Sequence, residues 1–194
     1  MKAYQALPEG YGEKMQINLQ KDKKTALKVN VGAGVAMAVL AVIGHLIVPI
    51  REALDVEPMG EYFLRLAVLV LGYAAYIVLH ELTHAAAMKL LGAHKVRFGF
   101  TGLYAFAGAE HDYFDKAAYI TTALAPLAIW GMVFTVAMIL APVDWFWVLY
   151  FLQIANISGA IGDVYVSFVT ARMPSDVLVR DTGVDMTFFT VRGE

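Results

Sequence analysis

The sequence predicts an all-α membrane protein: a four-transmembrane-helix bundle with a short cytoplasmic β-hairpin and with both termini in the cytoplasm. Three observations carry this expectation. The composition is 59% hydrophobic and 16% charged, with a mean hydropathy of +0.60, whereas soluble domains carry about 25% charged residues. Four apolar stretches, 26–50, 62–91, 117–141 and 145–171, reach the roughly 20 residues that a bilayer-spanning helix needs. Lys and Arg gather in the segments at one end of those stretches.

Residues 1–25 form a polar cytoplasmic leader containing Glu9, Glu13 and Asp22. The first span behind it is longer than the apolar core of a secretory signal, so it is expected to stay as a helix, without cleavage. Between the second and third spans, residues 96–100 and 103–107 are rich in aromatic and β-branched side chains and flank Thr101-Gly102. That pattern reads as a β-hairpin over about 96–107. The tail, 172–194, holds two further apolar runs at 177–180 and 185–191, joined by Asp181-Thr182-Gly183, which suggest another short hairpin. No internal repeat or low-complexity linker divides the chain. Residues 26–171 are therefore expected to form one four-helix membrane domain with its core at 62–171.

Orientation follows from the cationic residues, because cytoplasmic loops carry the excess. The leader has Lys2, Lys14, Lys21, Lys23 and Lys24, the hairpin loop Lys95, Arg97 and Lys116, and the tail Arg172, Arg180 and Arg192, eleven in all. The first connecting loop offers only Arg51 among Glu52, Asp55, Glu57 and Glu61. A net charge of −2 and the lack of a basic run interleaved with aromatics set nucleic-acid binding aside. With no cysteine, the chain has no disulfide, no thiol nucleophile and no thiolate ligand for a metal.

Within the second span stands His80-Glu81-Leu82-Thr83-His84. Residues four apart share a helix face, so two imidazoles can grip one Zn2+ ion while Glu81 serves the attacking water as general base. Ionisable groups are costly in lipid, and three together point to function rather than to a polar helix face at a membrane edge. The second span runs outside to inside, which puts His80 and His84 roughly 10 to 17 Å from its cytoplasmic end. Asp163, nine residues before Arg172 in a fourth span of the same direction, has a matching depth. It is the expected third metal ligand, leaving a fourth position for water. The alternative for Asp163 is a buried carboxylate bonded to a neighbouring helix.

Other polar residues compete for roles. Asn156, seven residues before Asp163, either orients a ligand or substrate or acts as ordinary interhelical glue. His94 and His111 flank the loop, and His45 lies at the outer end of the first span; all three are poorer ligands. A hairpin edge beside the metal could take up an extended substrate, with Gly99 and Phe100 as substrate-binding residues and Gly99 and Gly108 admitting another backbone. The plainer reading of the hairpin is a cap on the bundle.

On these residues the chain resembles the site-2 protease clan of intramembrane zinc metalloproteases, and more closely the small bacterial and archaeal membrane proteins called "putative zincin peptidases". The resemblance covers about 62–171. In that clan a three-helix core carries His-Glu-x-x-His on its first helix and a ligand Asp on its third, matching His80, Glu81, His84 and Asp163 here. The run from Asn156 to Val164 lacks the Pro, and the Gly after Asp, of the larger clan's pattern.

The resemblance implies a zinc-dependent endopeptidase of the prokaryotic cytoplasmic membrane, cutting membrane-associated protein or peptide substrates near the cytoplasmic face. A different class remains open: a catalytically silent membrane zinc-binding or interaction module. A small metal transporter would need polar residues strung along a whole path, which the outer halves of the spans, with little beyond His45 and Arg65, do not provide.

Overall fold

A computed structural model describes residues 1–18, 21–100, 102 and 105–192. The elements in order are β1 (Ala3–Tyr4), β2 (Tyr11–Asn18), α1 (Lys23–Ile47), α2 (Arg51–Leu54), α3 (Met59–Leu90), β3 (Arg97–Phe100), β4 (Ala105–Gly108), β5 (Tyr113–Asp115), α4 (Lys116–Leu140), α5 (Phe146–Gly159), α6 (Ile161–Arg172), β6 (Leu178–Asp181) and β7 (Asp185–Val191). The chain is mostly helical. Among the described residues four helices are long and apolar enough to cross a membrane: α1, α3, α4 and the stretch Val143–Arg172 that contains α5 and α6.

Local chemistry sets the ends of these helices. The Asp22 carboxylate accepts the backbone N–H groups of Lys24 and Thr25 at 3.1 and 3.2 Å, capping α1. Asp115 does the same for α4 by accepting the Ala118 N–H at 2.8 Å. The end of α3 is a Schellman turn: Ala93 donates to Met88 O at 2.9 Å and Gly92 to Lys89 O at 3.1 Å. Gly92 takes φ +101°, which only glycine adopts without strain.

Two compact units share the chain. One comprises 1–29, 80–125 and 162–194; the other comprises 30–79 and 126–161. The first holds an antiparallel sheet of order β1-β5-β6-β7-β2 and the separate hairpin β3-β4. Phe114, Val177, Val179 and Phe188 pack with Ala118 and Tyr119 of α4, Met88 of α3 and Val166 of α6 into one core. In the second unit Tyr76, Phe134 and Leu152 form one apolar cluster, and Trp147, Tyr150 and Ile154 another. Its helices leave large apolar side chains on the outside, Leu46 at 78% exposed and Ile139 at 75% among them. Lipid tails, not water, suit such a surface.

Two expectations from sequence are corrected here. The chain is not all-α: the expected tail hairpin, β6-β7, is present, but the leader adds β1 and β2 and the segment before α4 adds β5, and together they make a five-stranded sheet. Tyr11–Asn18 has a strand's alternation but few apolar residues, and its partner Asp185–Val191 lies far along the chain, where a local pattern does not reveal pairing. The fourth span is two helices, not one. Gly159, a weak helix former, closes α5, and Ala160 leaves the helical path before α6 begins at Ile161. Of the first hairpin, Thr101, Leu103 and Tyr104 lie outside the described residues; Gly102 has φ +87°.

Candidate metal centre

His80 and His84 project from one face of α3, with ring centroids 4.9 Å apart. Asp163 stands in the first turn of α6, where helical N–H groups and the positive end of the dipole favour a carboxylate. The break at Ala160 therefore gives this carboxylate its helix N-terminus. Its Oδ2 lies 3.4 Å from His80 Nε2 and its Oδ1 3.7 Å from His84 Nε2. One ligand atom from each of the three residues falls within 4.8 Å of the others.

Bond lengths of about 2.0–2.2 Å to a tetrahedral zinc put neighbouring ligand atoms roughly 3.4 Å apart. The two imidazole–carboxylate separations, 3.4 Å to Oδ2 and 3.7 Å to Oδ1, are close to that spacing. Two neutral imidazoles and one carboxylate are a donor set of the kind that catalytic zinc uses, with no sulfur required. The residues fit the ion.

His84 is oriented from its far side. Its Nδ1 donates to the Thr122 carbonyl of α4 at 3.0 Å, which leaves Nε2 as the nitrogen that faces Asp163 and the one available to a metal ion. Glu81, next on α3, is partly buried, and its carboxylate accepts a backbone hydrogen bond from Ala107 of β4. The hairpin thus touches Glu81 directly.

A second, half-buried carboxylate stands near this cluster. Asp181 of β6 is hydrogen-bonded to the Tyr119 side chain and interacts electrostatically with His84 and Asp163. Its Oδ1 accepts the Gly183 N–H at 2.7 Å. Burial raises its carboxyl to about 6 despite these donors. Sequence reasoning missed Thr122, Tyr119 and Asp181: the first acts through its backbone, and the other two meet only when the tail folds back on α4.

The remaining candidates are placed as follows. The Asn156 amide is wholly buried and spent between helices, its Oδ1 accepting from Tyr76 OH at 3.1 Å and its Nδ2 donating to Leu127 O at 3.2 Å. At Gly99 the space of a side chain is filled by the Phe106 ring of the same hairpin, while at Gly108 the backbone of Thr182 comes close. Phe100 is 71% exposed on β3. His94 gives its backbone N–H to Asp112, His111 pairs with Glu110, and His45 Nδ1 accepts from Ile50 N–H.

The family described as "Putative zincin peptidase" matches residues 73–178, more than half of the chain. The chain belongs to that family. All four residues of the cluster, His80, Glu81, His84 and Asp163, fall inside the zincin peptidase match. An uncharacterized 24.7 kDa protein in the gap 5' region of Pyrococcus woesei is 34% identical over 125 residues, 61% of this chain and 53% of the relative. The chain thus spans about half the length of that curated relative. No solved structure matches it.

Proposed function

We propose that this zincin peptidase family member is a zinc-dependent intramembrane endopeptidase of the site-2 protease type. In this reading it is a multi-pass protein of the prokaryotic cytoplasmic membrane, with both termini and the metal centre on the cytoplasmic side. The observation that carries the reading is the convergence of His80, His84 and Asp163, with Glu81 beside them, on helices long and apolar enough to span a bilayer.

His80, His84 and Asp163 would hold the ion, and Thr122 O keeps the His84 ring turned toward it. A bound zinc would supply Lewis-acid chemistry, bringing the pKa of water down to about 7 and polarising the scissile carbonyl. Glu81 takes the proton of the attacking water as its oxygen adds to the carbonyl carbon, then returns it to the nitrogen that departs as the amine. The substrate would be a membrane-associated protein or peptide, locally unwound, because a helical peptide bond is shielded by its own hydrogen bonds.

Metal analysis of the purified protein together with Glu81→Gln tests this directly. About one zinc per chain and a variant that keeps the metal but loses cleavage are expected. A well-folded preparation that takes up no zinc overturns the reading. Biological function persisting in Glu81→Gln would mark instead a silent zinc-binding module.

A further inference from the structure

Pro126 lies inside α4. In an α-helix each N–H bonds the carbonyl four residues back, and proline has no N–H to give. The carbonyl deprived of its helical donor by Pro126 belongs to Thr122. That same carbonyl accepts the Nδ1 hydrogen of His84 at 3.0 Å. Thr122 is 1% exposed, so its carbonyl has no solvent to turn to and needs a protein partner. In spanning helices the groups freed by proline are taken up by neighbouring helices, and here the neighbour is a metal ligand.

We propose that Pro126 is a positioning residue of the metal centre. By withholding a backbone N–H it reserves the Thr122 carbonyl for His84. The reserved acceptor fixes the imidazole proton on Nδ1 and aims the Nε2 lone pair at the space beside Asp163, where His84 Nε2 and Asp163 Oδ1 stand 3.7 Å apart. The nearby Tyr119, three residues before Thr122 on α4, anchors this stretch of helix through its hydrogen bond to Asp181 and its edge contact with Phe188. An ordinary kink proline would bend the helix and leave the metal ligand alone. The difference is measurable, because alanine at 126 restores the N–H and sets α4 in competition with His84 for one carbonyl.

The inference rests on the zinc reading above, and its test separates the two. Zinc affinity of the full-length protein is measured by chelator competition for wild type and Pro126→Ala, alongside thermal unfolding of both metal-free proteins. The expected result is affinity weakened by roughly tenfold or more, with metal-free stability no lower than wild type, since alanine is the better helix former. Equal affinity overturns the proposal. If Pro126→Ala does not fold, 15N NMR of histidine-labelled, metal-free wild type, recorded at a pH high enough for His84 to be neutral, decides: protonation on Nδ1 is expected, and protonation on Nε2 overturns it. A wild type that binds no zinc overturns the zinc reading alone, and the tautomer comparison between wild type and Pro126→Ala still decides the role of the proline.

Discussion

At the scale of single residues, the centre depends on His80, His84 and Asp163, whose ligand atoms lie within 4.8 Å of one another and whose imidazole nitrogens stand 3.4 and 3.7 Å from the carboxylate oxygens. Asp163→Asn replaces the one anionic donor with a neutral amide. It is expected to weaken zinc binding by more than the roughly 10–100-fold typical of an outer-sphere partner, read by chelator competition. Asp181 makes a separate prediction about pH. Its folded carboxyl titrates at about 6 against the ordinary 3.8, so the folded chain keeps a proton that the unfolded chain releases. The associated stability is fully present below about pH 4 and is lost as pH rises through 6, on the order of 2–3 kcal/mol for a shift of about two units. In metal-free protein, Asp181→Asn should flatten the thermal-stability profile between pH 4 and 7; an unchanged slope would assign the pH dependence to other groups.

At the scale of elements, the hairpin β3-β4 and the turn between β6 and β7 are fitted to each other without slack. A side chain at Gly108 would run into the Thr182 backbone, and one at Gly183 into the Phe106 ring. Ala109 N–H also bonds Asp181 O at 2.7 Å, joining the two segments. Since Ala107 contacts Glu81, a disturbance of the tail turn reaches the proposed base through two close contacts. Gly108→Ala is therefore expected to cost about 1–3 kcal/mol of stability, seen as a lowered melting temperature. Gly159→Ala, where a Cβ meets nothing within 4 Å, should instead be neutral or gain up to about 1 kcal/mol; equal losses at both positions would contradict the packing argument. The hairpins were legible in their aromatic and β-branched runs. The helix break at Ala160 was not, because apolar residues continue on both sides of it and only the backbone departs.

At the scale of the whole molecule, the orientation read from Lys and Arg is open to a direct test, because the chain has no native cysteine. A single cysteine at Glu57, in the acidic first connecting loop, is expected to react with a membrane-impermeant maleimide on intact cells. One at Lys14, in the leader, is expected to react only after permeabilisation. The opposite pattern would invert the proposed topology and move the metal centre to the other side. The leader is also structural. Through β2 it pairs with β7 across most of the chain length, and its Ile17 enters the same core as Phe188 and Met88. The sequence shows it only as a polar segment, since strand pairing depends on a partner that becomes adjacent after folding.

The sequence by itself determined the spans and the His80-Glu81-Leu82-Thr83-His84 face, because hydrophobic length and the four-residue helical repeat are local properties. It also singled out Asp163, an acidic residue in an apolar run. Tertiary structure alone decided that Asp163 heads a helix and meets both imidazoles, that Asn156 is spent between helices, and that the Thr122 carbonyl orients His84. Each of these is a contact between segments distant in sequence, made by a lone pair or a backbone group whose direction only the folded chain fixes.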